Sequence, residues 1–268
     1  TVPSNQTNRF WRKTLRDNNN NGIYGDSSDG VDPNRNYPAK RGIDEEGASN
    51  SWGSQTYRGP YALSEPENLA VDRLQRRVPF KANINYHSSG QLLLTPVSYT
   101  TDYYPPDSTL FDAITGTDGD EAVFPYRSQH SSDLYESNGD TIDNAYMNYG
   151  IIGWTPEMDT CATMGEAICP NGFASPDNES KVQAVFNKNL AFALNVTESF
   201  MEPAADGNIP AYPTGENLGG HAIALLAAKK SARRFLIANS SLSRRMLTFS
   251  LQIWASPILS LVLYLLRI

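Results

Sequence analysis

Two consecutive segments near residue 80 constrain the fold of this chain more than any other feature. The first begins Ser64-Glu65-Pro66-Glu67, with a serine that can cap a helix, a proline in the first turn and a glutamate three residues after the cap. The second, residues 80–87, alternates apolar and polar side chains, which is typical of a strand. A helix that leads directly into a strand predicts an α/β chain.

Two predicted strands end in a side chain that can do chemistry. His87 ends the alternating strand, and Glu157 ends the apolar segment 151–157. Ligands of α/β sheets bind at the carboxyl ends of strands, so both side chains are candidates for a binding site. A carboxylate there costs free energy unless it is paired, protonated or bound to a metal. A structural salt bridge remains the alternative for Glu157.

The segment 30–37, Gly-Val-Asp-Pro-Asn-Arg-Asn-Tyr, is predicted to be a loop that holds an anion. Its glycine and proline favour a turn over a helix interior. Arg35 offers a planar set of N–H donors that fits a carboxylate or a phosphate, and Asn34 adds an amide donor beside it. A solvated surface loop without a ligand is the alternative.

Two further helices are predicted after this loop, over residues 141–148 and 176–200. The second is the clearest in the chain, with Ser175 as the cap and a proline in the first turn. Its apolar face is expected to carry five side chains at helical spacing, which are Val182, Phe186, Leu190, Ala193 and Phe200.

Composition narrows the class of protein. The net charge of −7 over 268 residues argues against a nucleic-acid-binding protein. Cys161 and Cys169 are spaced for a small disulfide loop, as in exported proteins, although two buried thiols fit the spacing equally well. The first residues are polar and contain no signal-peptide pattern, so the chain is expected to be a mature form or a fragment.

A calcium site is one interpretation of the asparagine-rich segment near the N-terminus. Asp17, Asn19 and Asn21, followed by Gly22, repeat the first half of a calcium-binding loop. The glutamate that closes such a loop is missing, because its position is occupied by Ser28. A solvated turn is the alternative.

The C-terminal part differs in composition from the rest. Residues 201–221 are rich in Pro, Gly and Asn, which predicts a linker. Residues 222–268 are basic, contain no acidic residue, and are expected to form a helical tail that is either a transmembrane anchor or an artefact without an evolved role. Residues 246–266 are uncharged and long enough to cross a bilayer. The preceding Arg244 and Arg245 would place the N-terminal side in the cytoplasm, which conflicts with export.

Several short motifs occur together in a fixed order. They are Phe-Trp-Arg-Lys at 10–13, the loop at 30–37, Glu-Pro-Glu at 65–67, Tyr-His-Ser at 86–88, Asp-Leu-Tyr at 133–135 and Pro-Glu-Met at 156–158. In this combination the chain resembles the zinc carboxypeptidase family of the carboxypeptidase A and T type, and the T branch more closely. The resemblance covers residues 8–200. It implies an α/β fold with a mixed, mostly parallel sheet flanked by helices.

The resemblance also implies catalytic roles. His87 matches a zinc ligand, Glu157 matches the general base that takes a proton from zinc-bound water, and Arg12 matches the group that stabilises the oxyanion. Peptide hydrolysis at neutral pH needs an activated water, and zinc supplies it by lowering the pKa of the bound molecule. The negative charge that develops on the carbonyl oxygen needs a preorganised cation.

The implied binding roles fall on five residues. Asn34 and Arg35 match the clamp on the substrate's C-terminal carboxylate, and Tyr135 matches the mobile tyrosine that closes over the bound residue. Ile142 matches the specificity position at the base of the pocket, and Asp140 lies on the pocket wall. An apolar base favours apolar or aromatic C-terminal side chains, while Asp140 would admit Lys or Arg as well. The preference is therefore expected to be broad.

One part of the family pattern is absent from this sequence. The family holds its zinc with an upstream His-x-x-Glu pair, but none of His87, His130 and His221 is followed by Glu three residues later. A catalytic zinc needs three protein ligands, so one ligand is present and two are missing. We therefore expect residues 1–200 to be an N-terminally truncated, incomplete catalytic domain with little zinc affinity and negligible turnover.

Three functions fit these observations. The first is a secreted, monomeric metallocarboxypeptidase that acts on peptide and protein C-termini. The second is a metal-free module that binds peptide C-termini without chemistry. The third is a structural α/β domain in which His87 and Glu157 only pair with each other. An upstream His-x-x-Glu would favour the first.

Overall fold

The computed structural model describes the backbone of residues 11–169, 174–201, 223–229, 234–239, 247–253 and 261–264, and side chains as far as residue 193. The helices are α1 (Pro66–Arg77), α2 (Ser108–Thr115), α3 (Ser131–Leu134), α4 (Thr141–Tyr149) and α5 (Glu179–Met201). The strands are β1 (Ala82–Ser88), β2 (Leu92–Thr95), β3 (Gly116–Thr117), β4 (Asp120–Glu121), β5 (Arg127–His130), β6 (Ile152–Met158), β7 (Ile223–Lys229), β8 (Arg234–Asn239), β9 (Leu247–Ile253) and β10 (Leu261–Tyr264).

An eight-stranded mixed sheet, in the order β5-β2-β6-β1-β10-β9-β8-β7, forms the centre of the fold. Four of these strands lie before residue 160. Among them, β1 pairs with β6 and β2 pairs with β5 in parallel, whereas β2 pairs with β6 antiparallel. The last four strands extend this sheet through antiparallel pairings only. The expected mixed sheet with flanking helices is confirmed. Two of the three pairings among β1, β2, β5 and β6 are parallel, as expected, whereas the four pairings added by the last strands are antiparallel.

The main core lies on one face of β1 and β6 and is centred on Trp154. The Trp154 ring contacts Phe111 of α2 and Phe192 of α5 edge-on, with ring centroids 5.9 and 6.3 Å apart. Ala82, Ile84 and Tyr86, the apolar positions of the alternating strand, belong to this core. Burial of such aromatic side chains dominates the stability of cores of this kind. The alternation of residues 80–87 therefore predicted both the strand and its buried face.

Helix α1 forms as expected, but Ser64 does not cap it. The residue that precedes the helix is Glu65, and no side chain accepts the N-cap hydrogen bond. The Ser64 hydroxyl donates to the Glu65 carboxylate and accepts a hydrogen bond from the Asn36 amide. The Ser64 hydroxyl is therefore used for a contact with Asn36 of the loop at 30–37 and not for an N-cap hydrogen bond to α1.

The prediction for the last long helix was wrong in its start and in most of its buried face. α5 begins at Glu179, and the Asn178 carboxamide oxygen accepts the N–H groups of residues 180 and 181. Ala193 is buried as predicted, together with Val185, Asn189 and Phe192, whereas Val182, Phe186 and Leu190 are exposed. The side chain of Phe200 lies outside the described residues. The hydroxyl of Tyr86 donates to the Asn189 carbonyl, so the sheet fixes which face turns inward.

The helical tail is also a wrong prediction. Where residues 222–268 are described, they form the four strands β7, β8, β9 and β10. Residues 247–253 read Leu-Thr-Phe-Ser-Leu-Gln-Ile, a period-two alternation that favours a strand over a membrane helix. None of the helices in the described residues is long and apolar enough to cross a membrane. The predicted linker, apart from Met201, lies outside the described residues.

A disulfide joins Cys161 and Cys169, which resolves the two alternatives for these cysteines. It closes a short loop directly after β6. The Cys161 N–H donates to the Ala174 carbonyl, which connects this loop to the segment that leads into α5.

Candidate functional site

The parallel pairing of β1 with β6 brings together the two strand-end side chains. His87 lies opposite Glu157 in the register, and its Nδ1 atom is 3.5 Å from a carboxylate oxygen of Glu157. Their side chains are 17% and 14% exposed, so both are reachable from solvent at the rim of the sheet. The contact is an ion pair only when the imidazole is protonated.

The anion-binding loop predicted at 30–37 is a short 3₁₀ turn, Pro33–Arg35, held by Asp32. One oxygen of the Asp32 carboxylate accepts a hydrogen bond from the backbone N–H of Asn34. The backbone N–H of Asp32 donates to the Tyr57 carbonyl. The chain enters this turn through Gly30, whose φ is +78°. A Cβ atom at Gly30 would overlap the Thr14 carbonyl oxygen, so only glycine fits this close approach.

Arg35, the last residue of this turn, is buried and lines a pocket. It is 2% exposed, its Nε donates to the Gly47 carbonyl, and its Nη1 donates to the Asn34 carbonyl. None of the ion pairs among the described residues includes Arg35, whose direct hydrogen-bond partners are two backbone carbonyls and the Tyr135 hydroxyl. Burial by itself would lower the Arg35 pKa, but nearby Asp32 and the other acidic groups around it raise the pKa above its usual value.

Tyr135 and Asn34 form the upper edge of the pocket. Tyr135 follows α3 and is 54% exposed, and its hydroxyl accepts a hydrogen bond of 3.2 Å from Arg35 Nη2. The Asn34 carboxamide oxygen accepts the N–H of Thr141, which turns its NH₂ group away from α4. The Tyr135 ring centroid is 5.9 Å from the guanidinium carbon of Arg35, and both residues line one pocket with Asn34.

The start of α4 forms the base. Asp140 caps α4 by accepting the Asp143 N–H, and Ile142 in the first turn is buried. Burial raises the pKa of Asp140, and burial together with the charge of Asp140 raises the pKa of Asp143 well above its usual value. Two buried acidic residues with raised pKa values thus flank Ile142 in the first turn of α4.

One pocket is lined by seven of the eight predicted site residues, namely Asn34, Arg35, His87, Tyr135, Asp140, Ile142 and Glu157. The eighth, Arg12, is not among the lining residues, because its guanidinium donates to Asp32 behind the turn. Sequence reasoning missed the other lining residues, which are Leu94, Ser98, Ser131, Leu134, Ser137 and Thr155. For Thr155 a signal existed, since it is two residues before Glu157 on the same face of β6.

The described residues do not form the zinc site that the resemblance implies. Within them, no group of three or more His, Cys, Asp or Glu side chains is close enough to hold a metal ion. His87 and Glu157 are a pair, one donor short of the three that a catalytic zinc needs even if both were ligands.

The calcium interpretation has no support in the structure either. The Asp17 carboxylate accepts the N–H groups of Asn21 and Gly22, and Asn19 and Asn21 donate to Asp26. The carboxylate oxygens of Asp17 and Asp26 thus accept hydrogen bonds from N–H groups of the same loop and do not face one another as ligands of an ion.

Comparison with known proteins identifies relatives over most of this region. The family described as zinc carboxypeptidase matches residues 2–189. Carboxypeptidase A1 of Rattus norvegicus is 37% identical over 151 residues, which cover 53% of this chain and 34% of the relative. Zinc carboxypeptidase A 1 of Anopheles gambiae is 32% identical over 182 residues, 65% of this chain and 39% of the relative. The chain thus spans about a third of the length of these relatives.

Solved structures agree on the fold. The crystal structure of thrombin activatable fibrinolysis inhibitor aligns with a TM-score of 0.54 at 28% identity and covers 68% of this chain and 44% of that chain. The bovine form of that protein, in complex with tick carboxypeptidase inhibitor, aligns with a TM-score of 0.53 at 28% identity over 68% of this chain and 59% of that one.

Proposed function

This chain belongs to the zinc carboxypeptidase family, and we propose that it binds the C-terminal residue of peptides and proteins, as the substrate-binding part of a metallocarboxypeptidase. We propose that the activity is the release of C-terminal amino acids by hydrolysis and that it needs metal donors beyond the described residues. The part described here contains the binding elements of that activity, and we expect negligible turnover from it alone.

The buried, unpaired charge of Arg35 carries this proposal. A guanidinium that is 2% exposed and forms no ion pair among the described residues keeps N–H donors for an anion, and the raised pKa of Arg35 keeps it charged. Its Nη2 atom points toward Tyr135 at the rim of the pocket. A carboxylate entering there would accept charge-assisted hydrogen bonds from Arg35 and from the Asn34 amide.

The other lining residues suit the residue that bears this carboxylate. Tyr135 is exposed enough to close over it, and Ile142 at the base offers an apolar contact. Asp140 faces the same pocket and gives a cationic side chain a partner, so apolar and basic C-terminal residues both fit. The raised pKa of Asp140 makes its charge smaller at mildly acidic pH, which favours apolar residues there.

For hydrolysis, we assign Glu157 the role of proton acceptor, His87 that of a metal donor and Arg12 that of the cation near the developing oxyanion. The described residues contain too few neighbouring donors to hold a catalytic zinc. A metal-free module for peptide C-termini is the second candidate, and the direct contact between His87 and Glu157 favours it. In the third, purely structural function, Arg35 would have no anion to bind.

The clamp is tested by measuring the binding of one peptide in two forms. The probes are acetyl-Gly-Ala-Phe with a free carboxylate and the same peptide as its amide. We expect Arg35→Ala to weaken the binding of the free acid at least about 100-fold, because it removes charge-assisted hydrogen bonds to the carboxylate. Calorimetry or fluorescence competition gives both dissociation constants.

Arg127→Ala is the matched control, since Arg127 is an exposed arginine at the start of β5. It should leave both dissociation constants unchanged. An Arg35→Ala variant that loses affinity equally for the acid and the amide would reject the clamp.

We also propose that the protein is exported and acts as a monomer. The Cys161–Cys169 disulfide supports export, because such bonds persist in oxidising compartments. Treatment with a thiol-blocking reagent before and after reduction measures the oxidation state of the purified protein. Two free thiols in the protein from its natural source would argue against export.

A further inference from the structure

The buried side chain of Asn138 holds the loop at 42–47 in place. Asn138 is 2% exposed, and its carboxamide makes three hydrogen bonds, all of them to this loop. The carboxamide oxygen accepts the N–H of Gly42 at 3.0 Å. The NH₂ group donates to the Asp44 carboxylate at 2.8 Å and to the Glu46 carbonyl at 3.2 Å. One buried amide thus fixes three points of a loop that is mostly exposed.

The same loop ends at a group that orients Arg35. The Gly47 carbonyl accepts the hydrogen bond from Arg35 Nε, while Nη2 of the same guanidinium donates to the Tyr135 hydroxyl. Gly47 also packs closely against the segment that carries Tyr135, because a Cβ atom built on it would overlap the Glu136 carbonyl oxygen. The position of Gly47 therefore decides in which direction the guanidinium plane faces.

Arg58 also reaches this loop, but through a more exposed contact. It donates to the Asp44 carbonyl at 3.2 Å and pairs with Glu45, whose side chain is 55% exposed. Ion pairs with such exposure contribute little, whereas a buried amide with all its donors engaged gives a rigid contact. The Asn138 contact is therefore the stronger constraint on the loop.

We propose that Asn138 is a positioning residue, which fixes the loop at 42–47 so that the Gly47 carbonyl holds the Arg35 guanidinium in the orientation that binds a carboxylate. A group that is fixed before the ligand arrives binds it more tightly, because less conformational freedom is lost on binding. The inference rests on the proposed function, since it needs Arg35 to bind a carboxylate. It adds a residue that does not line the pocket and yet controls the selectivity for a free acid.

This selectivity is the ratio of the dissociation constants of the acetyl-Gly-Ala-Phe amide and the free acid, measured by calorimetry. The ratio does not depend on the fraction of folded protein, so a loss of stability alone leaves it unchanged. Asn138→Leu replaces the amide by an apolar side chain of similar size and adds no charge. We expect it to lower the selectivity at least about tenfold, because Arg35 keeps its charge but loses its fixed orientation.

Asp44→Ala removes one of the three contacts from the exposed side of the loop. It should lower the selectivity about threefold, because the other two contacts of Asn138 remain. This variant decides the question where Asn138→Leu gives no folded protein.

An Arg35→Lys background tests whether the loop acts through Arg35. Lysine keeps the positive charge but has no Nε–H group that could donate to the Gly47 carbonyl. In this background Asn138→Leu should change the selectivity less than about threefold. Asn189→Leu is the matched control, since Asn189 is also buried and its carboxamide is hydrogen-bonded within the core beside α5. It should leave the selectivity unchanged in both backgrounds.

The outcomes separate this inference from the proposed function. A natural chain that prefers the free acid, with a selectivity that Asn138→Leu or its substitute Asp44→Ala leaves unchanged, would overturn the positioning role alone. An equal loss in the natural chain and in the Arg35→Lys background would overturn it as well, because the loop would then not act through Arg35. Equal affinity of the natural chain for the acid and the amide would instead reject the clamp itself.

Discussion

The two sides of the pocket differ in how complete they are. On the clamp side, Arg35 is fixed by two backbone carbonyls, capped by Tyr135 and backed by Asp32. On the other side, His87 and Glu157 contact each other, and no third metal donor is close to them among the described residues. The proposed role of the clamp side needs only Arg35 and the residues that hold it, all of which are described. The proposed role of the other side needs a third metal donor, which the described residues do not supply.

Under the proposed function, this difference predicts that recognition and hydrolysis can be separated experimentally. The clamp depends on residues 30–37, Gly47 and the segment 135–142, all of which are described. The chemistry depends on a donor set that the described residues do not complete. We therefore propose that the clamp is preorganised for a carboxylate although the described residues do not complete a metal site.

The largest effect is expected from a glycine that frames the clamp. Gly139 has a φ of +77°, and a Cβ atom there would lie 2.6 Å from the Arg35 carbonyl oxygen. Gly139→Ala should therefore add a cost of about 1–3 kcal/mol for the steric overlap to the cost of the left-handed conformation. Urea unfolding measures the loss, and binding of the free-acid peptide should fall with it.

Gly150 provides the control for this substitution. It also has a positive φ, +62°, but nothing lies within 4 Å of a Cβ atom built on it. Gly150→Ala should cost only the conformational strain of roughly 1–2 kcal/mol. Equal losses for the two variants would mean that the packing around Arg35 adapts freely and that the clamp is not preorganised.

A smaller effect is expected in the pH dependence of stability. Burial and the neighbouring Asp140 raise the pKa of Asp143, so stability is lost as pH rises above the unfolded value of about 3.9. Asn cannot ionise, so the melting temperature of Asp143→Asn relative to the natural chain should rise between pH 4 and pH 7. Thermal melts at several pH values measure this difference.

Asp159, beyond the end of β6, should show the opposite sign. Burial alone would raise its pKa, but hydrogen bonds from Lys188, Tyr126 and Gln91 lower it overall. Its contribution to stability is present above the unfolded pKa and is lost as pH falls through the folded value. The deficit of Asp159→Asn should therefore be largest near pH 7 and shrink in acid. The same slope for both variants would contradict the assignment of their environments.

The smallest effect is expected on the hydrolytic side. Glu157→Gln should change the affinity for the free-acid peptide less than about fivefold, because it removes one partly solvated charge that does not hold the carboxylate. Calorimetry with the metal-free chain measures this. A loss as large as that of Arg35→Ala would mean that the two sides of the pocket do not act separately.

Local pattern was enough to predict much of the sheet. The alternation of residues 80–87 and the apolar segment 151–157 gave β1 and β6, and their ends gave a pair of side chains at one edge. The helix predicted for residues 222–268 is wrong because the uncharged segment contains a period-two alternation at 247–253, which favours a strand. In α5 the buried face was misassigned because the contacts of Asn189 and Phe192 with the sheet decide it.

The pocket could be predicted only in part for a different reason. Arg35 and Tyr135 are 100 residues apart and meet only in the folded chain, so the resemblance to a family, rather than residue spacing, suggested that they belong together. The same resemblance put Arg12 with the pocket residues, whereas its guanidinium is held by Asp32. The serine and threonine residues that line the pocket carry no distinctive local signal.

The most direct test of the account is a calorimetric titration of the metal-free chain with acetyl-Gly-Ala-Phe and with its amide, repeated after zinc is added. The account predicts that the free acid binds at least about 100-fold more tightly than the amide and that zinc changes neither affinity appreciably. Equal affinities for the two peptides, or binding of the free acid only in the presence of zinc, would contradict it.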